Sequence, residues 1–335
     1  MLKICILGYG GIARAHQNGY KTELEEKGIA KLVAACDIRE EQFTKDMAIN
    51  IDSGESEKSE LRGYTDLDEM LEKEKPDIVT VALPTYLHKE KTVYLLNKGY
   101  NVMCEKPMAL TYEDCLEMLE ASKKSGAKLM IGQCIHFASA YEYLKEVIET
   151  EKYGKIHSAF MHRLSTPPNW GWDNWFMDAK RSGGCLFDLH VHDIDFARYA
   201  FGEPKEVSCR TRAGFSEYEY AFSTLMYDDF TVSVIGDWSL QKFPFESYFR
   251  VNFDNAVLEC KANKLTVYPA SADSFDVELD GKSPYGDELA YFCHVVTEGI
   301  ENVKNSPESS ALSIKLAQTL KKSADNNGAI TPFEA

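Results

Sequence analysis

Basic residues are scarce in this chain. Its 37 Lys+Arg stand against 53 Asp+Glu, a formal net charge of −16 over 335 residues. Phosphate backbones and anionic bilayers need a basic footprint, so nucleic acid and membrane surfaces are excluded as partners. Long apolar runs are missing too. No stretch approaches the roughly 18 apolar residues of a membrane span. The first apolar run, Ile4 to Leu7, is too short for a signal segment and leads straight into glycines. No C-x-x-C pair occurs, and the nine cysteines are odd in number and scattered, several inside apolar runs such as Ile4-Cys5-Ile6. That usage fits a reduced, cytoplasmic protein whose thiols serve as small hydrophobes, and not a disulfide framework. Repeats and low-complexity tracts are absent, and 44% hydrophobic with 27% charged residues is ordinary globular composition. At this length two domains are expected.

What is present begins with alternation. Apolar runs at Ile4–Leu7, Lys31–Cys36, Asp77–Leu83 and Asn101–Cys104 are separated by helical patterns. Among these are a helix entered at Asp66, one ended by Gly99, and one over Glu40–Ile49, followed by a solvated loop over Asp52–Glu60. Continuous apolar strands with intervening helices predict a doubly wound parallel α/β sheet over residues 1–125. Leu129–Gly132 is a candidate last strand of that sheet. Residues 126–335 then read as a mainly antiparallel open-sheet α/β domain. Its strands alternate, with turns at Tyr227-Asp228-Asp229 and Asp254-Asn255. Helices near Asp188–Ala200, Glu288–Ile300 and Ala311–Asn326 are expected to cover one face of that second sheet. The other face, with Val232, Val234 and Val251, would be left for a homodimer or homotetramer contact.

Gly8-x-Gly10-x-x-Ala13 lies between the first strand and the first helix, with Gly11 and Ile12 opening that helix. The first glycine permits a tight turn, the second admits a pyrophosphate to the backbone, and a small third residue lets helix and strand pack closely. The helix N-terminus offers free N–H groups to phosphates. Asp37 ends the second strand, 27 residues after Gly10. A carboxylate there accepts from ribose hydroxyls and repels a 2′-phosphate, which favours NAD over NADP. Arg39 is the one nearby group that would suit NADP. Leu83, Pro84, Thr85 and His88 follow the third strand, and Glu105-Lys106-Pro107 the fourth, at the carboxyl edge where such sheets bind ligands. In the second half, Asp188 and His192 stand four apart and would share one helix face. The cluster Asp188, His190, His192, Asp193 and Asp195 invites a metal reading. On a helix, however, His190 and His192 point about 200° apart, so no metal is expected. Three of the four tryptophans crowd into Trp170–Trp175, where aromatic faces would suit a sugar ring or plug the sheet.

The Glu105-Lys106-Pro107 triplet, the Gly183-Gly184 run and the Asp188-x-x-x-His192 spacing resemble the glucose–fructose oxidoreductase / inositol dehydrogenase (Gfo/Idh/MocA) family over nearly the whole chain. The resemblance implies a Rossmann domain followed by a mostly antiparallel α/β domain. It also implies a nicotinamide-dependent oxidoreductase acting on a hydroxyl or keto carbon of a sugar, inositol or sugar acid. Lys106 matches the family's triplet lysine, and Asp188 and His192 its aspartate and histidine. Hydride transfer needs a proton-handling group, and His192, with an ordinary value near 6.5, suits it. Lys106 would stabilise an alkoxide, and Asp188 would orient the histidine or the hydroxyl. Gln133, His136, Arg163, Trp175 and His190 are further substrate-binding candidates, with His190 equally readable as structural. The chain departs from the family pattern at Ala13, usually glycine, at His190, often glycine, at His136, usually arginine, and at Ser139, usually proline. An NAD-retaining glycosidase or epimerase working by transient oxidation is the alternative.

Overall fold

Six short strands build the first sheet: β1 (Leu2–Leu7), β2 (Ala30–Cys36), β3 (Arg62–Tyr64), β4 (Ile78–Val81), β5 (Asn101–Glu105) and β6 (Leu129–Gly132). All pair in parallel, in the order β3-β2-β1-β4-β5-β6. The strand order reverses between β1 and β4, and sheets of this kind open a ligand crevice at such a point. Among the described residues four α-helices intervene: α1 (Gly11–Gly19), α2 (Leu67–Glu74), α3 (His88–Asn97) and α4 (Tyr112–Ser125). Asp66 caps α2 as expected, its Oδ1 accepting from the Glu69 N–H at 2.8 Å. Ile4, Ile6, Ala13, Tyr20, Ile78 and Met103 fill the core at no more than 1% exposure. Each large apolar side chain so buried contributes about 1.5–3 kcal/mol. The computed structural model describes residues 1–44 and 61–335. The loop expected over 52–60 and the expected helix beyond Thr44 lie outside the described residues; Glu40–Phe43 forms a 3₁₀ turn.

The second sheet has nine strands: β7 (Ile156–Leu164), β8 (Glu206–Arg210), β9 (Tyr220–Met226), β10 (Thr231–Asp237), β11 (Glu246–Phe253), β12 (Ala256–Lys261), β13 (Lys264–Pro269), β14 (Phe275–Val277) and β15 (Thr331–Pro332). Their order is β14-β13-β12-β11-β7-β10-β9-β8-β15, antiparallel except where β10 runs parallel to β7. Helices α5 (Ser139–Glu149), α6 (Ala179–Ser182), α7 (Gly184–Asp188) and α8 (Val191–Phe201) accompany it. Tyr141 of α5 meets Phe196 of α8 and Phe249 of β11 edge-on, at 4.7 and 5.0 Å between ring centroids.

Two expectations need correction. Val232, Val234 and Val251 are fully buried beneath these helices. Strand alternation puts Phe160, His162, Ile235, Tyr248 and the more exposed Phe222 on the opposite face. Period-2 patterning separates the two faces of a strand but does not say which one the helices cover. Likewise α9 (Pro284–Glu298), expected on the second sheet, belongs to the first unit. Its Leu289, Phe292, Cys293 and Val295 share a core cluster with Ile4, Ala13 and Tyr20. A Cβ on Gly19 would lie 3.2 Å from Gly286, so the two glycines let α1 and α9 approach closely. The first unit therefore comprises residues 1–109, 113–137 and 282–311. The second comprises 110–112, 138–281 and 312–335, which include most of α10 (Pro307–Asp325). A single cut at residue 125 misses both β6 and this return of the chain.

Candidate active site

In the first unit the fingerprint loop leaves β1 through Gly8. Its φ of +91° and a hypothetical Cβ 2.5 Å from the Ala82 carbonyl admit only glycine there. A Cβ on Gly10 would meet nothing within 4 Å, so open space lies where a pyrophosphate would approach. The N-terminus of α1 carries no side-chain cap and no acidic residue in its first turn. Its N–H groups and positive dipole end are thus undiminished for an anion. Ala13 is fully buried, as close helix–strand packing requires. The residues fit a dinucleotide. Asp37 at the end of β2 accepts from the Tyr9 N–H at 2.9 Å and from the Arg39 N–H at 2.9 Å, and Arg39 Nε lies 3.5 Å from the same carboxylate. The Tyr9 ring stacks on Phe43 at 5.6 Å, and the Arg14 guanidinium lies over it at 4.2 Å. Arg39 is thus held beside a carboxylate that would itself repel a 2′-phosphate. Asp37→Ser is expected to shift the ratio of NAD to NADP dissociation constants by about tenfold or more toward NADP. Equal constants in the unmutated protein, measured by titration, would remove the basis for this.

Two segments meet at the carboxyl edge. His88 is buried, with Nδ1 2.8 Å from the Pro107 carbonyl and Nε2 2.8 Å from the Leu83 carbonyl. Burial holds its imidazole below the ordinary value. It braces the Leu83-Pro84-Thr85 turn against Pro107, the residue after Lys106. Lys106 itself is half-buried and joins Pro107 through a cis peptide bond. The Glu105 carboxylate points inward. Oε1 lies 2.5 Å from His16 Nε2, and Oε2 accepts from the Lys106 N–H at 3.1 Å. Burial alone would push this carboxyl up. Its bond to His16 and the charges of His16, Lys106 and His88 outweigh burial and hold it below the usual range. Glu288 of α9 faces the pair, fully buried, and neither of its oxygens has a hydrogen-bond partner among the described residues. Ligand atoms of His16, Glu105 and Glu288 lie within 4.8 Å of one another. Gln133 and His136 are buried in this unit, His136 Nδ1 lying 3.0 Å from the Lys304 carbonyl.

In the second unit Asp188 and His192 are both half-buried, while His190, Val191 and Asp193 are buried. The continuous helix expected here is broken. Asp188 ends α7, His192 stands in α8, and the His190 N–H reaches back five residues to the Cys185 carbonyl at 2.9 Å. His190 is a core residue. Its Nε2 lies 2.8 Å from Ser223 Oγ, its Cβ fills the space over Gly236, and burial lowers its pKa to about 3. Arg163, also read as a substrate contact, is instead an interior strut. Its Nε and Nη2 donate to Asp193 at 3.0 and 3.1 Å, with both side chains buried. Trp175 stacks on Phe176 at 3.9 Å in a segment with no buried residue, bent by Asp173 and Asn174 at φ near +50°. His16 and Glu288 were missed in the sequence. Each sits in an apolar helical stripe, and the carboxylate partner of His16 is 89 residues away.

A parallel sheet reversing beside an uncapped glycine turn, with an acidic residue ending β2, defines an NAD-binding Rossmann domain; the second, mostly antiparallel unit accompanies it. Residues 2–133 match the oxidoreductase family with NAD-binding Rossmann fold, and residues 141–259 the Gfo/Idh/MocA C-terminal domain. The chain belongs to the Gfo/Idh/MocA family. It is 33% identical over 163 residues to the 2,7-anhydro-N-acetylneuraminate hydratase of Escherichia coli K12, covering 46% of this chain and 42% of that protein. It is 31% identical over 207 residues to the D-glucoside 3-dehydrogenase of the same organism, covering 61% and 55%. The chain thus spans about half the length of the curated relatives it matches. Among solved structures, levoglucosan dehydrogenase in complex with NADH shares the fold with a TM-score of 0.83 at 18% identity, over 99% of each chain.

Proposed function

We propose that this protein is an NAD-dependent dehydrogenase acting on a CH–OH group of a sugar, inositol or sugar acid. The observation that carries this reading is the position of Lys106. It is held at the carboxyl end of β5, in the same unit as an open, uncapped dinucleotide loop. NAD, when bound, supplies a two-electron acceptor for hydride from the alcohol carbon. His192 takes the hydroxyl proton, Lys106 stabilises the negative charge developing on that oxygen, and Asp188 orients the hydroxyl or the histidine. The carbon leaves as a carbonyl. Nine buried cysteines, none in a disulfide, with Cys5 and Cys104 pushed up to about 12 by burial, fit a reducing cytoplasm. No helix among the described residues is long and apolar enough to cross a membrane.

The test is a panel of myo-inositol, methyl glucosides, free sugars and sugar acids, assayed for net NADH formation at 340 nm. Net reduction of added NAD by at least one polyol supports the dehydrogenase. A transient 340 nm signal on bound cofactor, with substrate converted and no net NADH, would instead favour a cofactor-retaining reaction, the type of net change that the hydratase name of one relative describes.

A homodimer or homotetramer paired through the outer face of the second sheet completes the reading. Phe222 is 46% exposed there, beside half-buried Ile235, Phe160 and Tyr248. Ile235→Asp is expected to reduce the mass seen by light scattering at micromolar concentration to that of one chain. A monomeric wild-type protein would contradict this pairing.

A further inference from the structure

We propose that His16 and Glu105 are positioning residues that tie the dinucleotide-binding helix α1 to the turn carrying Lys106. The inference rests on the role given to Lys106 above. The connection is direct at every step. The uncapped N-terminus of α1 faces the phosphate cradle, and His16 lies in the same nine-residue helix. His16 Nε2 meets Glu105 Oε1 at 2.5 Å, and the other Glu105 oxygen accepts from the backbone N–H of Lys106 at 3.1 Å. His16 is fully buried and Glu105 is 5% exposed, so water does not compete for the bond between them. On the far side of Lys106, His88 holds the Pro107 carbonyl. The backbone on both sides of the lysine is therefore fixed by buried side chains, one of them rooted in the helix that receives the cofactor. Room for Glu105 is left by Gly132 of β6, whose Cβ would come within 3.2 Å of the carboxyl group. Glu288 covers the pair without bonding to either member. A brace of this kind acts on the placement of Lys106 and leaves the cradle itself untouched.

The experiment compares His16→Ala, Glu105→Ala and the double variant with His16→Gln and Glu105→Gln, which keep a hydrogen-bonding group of similar size and cover the case in which the alanine variants fold poorly. Folded sites are counted by NAD-binding stoichiometry. Turnover is measured with the polyol of the panel that the wild type converts fastest. Lys106 is also probed without substrate, through its rate of acetylation by acetic anhydride, read by peptide mass spectrometry. We expect kcat per folded site to fall about tenfold or more in each alanine variant, with NAD dissociation constants within about threefold. The double variant should be no worse than the worse single one, because the two residues act as a unit. The glutamine variants should recover part of the loss, and the acetylation rate of Lys106 should change by at least about threefold in both alanine variants. Wild-type kcat and acetylation rates in these variants, or losses that multiply in the double variant, would overturn the proposal. So would a stoichiometric metal ion in the purified protein that disappears in Glu288→Gln, because the cluster would then be a metal site. If the wild type converts no polyol, the dehydrogenase reading fails, while the acetylation comparison still decides whether His16 and Glu105 hold Lys106.

Discussion

Lys106→Ala and His192→Ala should each lower turnover by about two orders of magnitude or more, while NAD affinity moves less than about threefold. The reason is a division of labour. On the proposed reading, cofactor binding in the first unit would rest on the glycine loop, the α1 N-terminus and Asp37, none of which either substitution touches. A lysine ammonium or a proton-accepting imidazole is used only as negative charge or a proton appears on the reacting oxygen, so its removal is felt in kcat. Lys106→Ala also leaves the Glu105 and His88 contacts to the backbone in place, since both involve main-chain atoms. Lys106→Arg should recover little, because a planar fork does not replace a compact point charge. Steady-state kinetics on the fastest polyol, with NAD titrated separately, checks the split. Near-normal turnover in either variant would remove that residue from the chemistry.

The dinucleotide loop was legible because its logic is local. Gly8, Gly10, Ala13 and the acid ending β2 are each required by backbone geometry or charge within one βαβ unit, and all stand where the pattern placed them. The same holds for the Asp66 cap and for the turns that join β9 to β10 and β11 to β12. Other features depend on contacts distant in sequence. Nothing in the amphipathic pattern of residues 284–298 states which sheet it will cover, and the Gly19–Gly286 approach that decides it is visible only in three dimensions. Arg163 and His190 look like pocket residues on strand and helix, yet each faces inward, to Asp193 and to Ser223. A polar residue on a buried face looks the same in sequence as one lining a pocket. The Asp188–His192 spacing presumed an unbroken helix, whereas the chain steps at Leu189 and His190.

Glu288→Gln should make the protein more stable than the wild type, by a margin that widens as pH rises. Glu288 is fully buried on α9, neither oxygen has a hydrogen-bond partner among the described residues, and the negative Glu105 lies close by. Burial first, and the charge of Glu105 second, push its carboxyl well above the ordinary value of 4.5. The folded protein therefore retains a proton that the unfolded chain releases. The stabilisation associated with the protonated acid is complete below the unfolded value near 4.5. It is lost progressively as pH climbs toward the folded value, with a slope of about 1.4 kcal/mol per pH unit. An amide carries no such proton, so the variant escapes this loss, whereas every other titrating group contributes equally to both proteins. Upward from pH 5 to 8 the melting temperature of Glu288→Gln should gain on the wild type, by roughly 1–3 °C per pH unit for as long as the folded carboxyl keeps its proton. Scanning calorimetry across that range measures the gap directly. A gap that stays flat or narrows with pH would mean that Glu288 is ionised in the folded protein. Its two unpartnered oxygens would then need a cation that neutralises them, because a bare carboxylate buried beside Glu105 is too costly to persist.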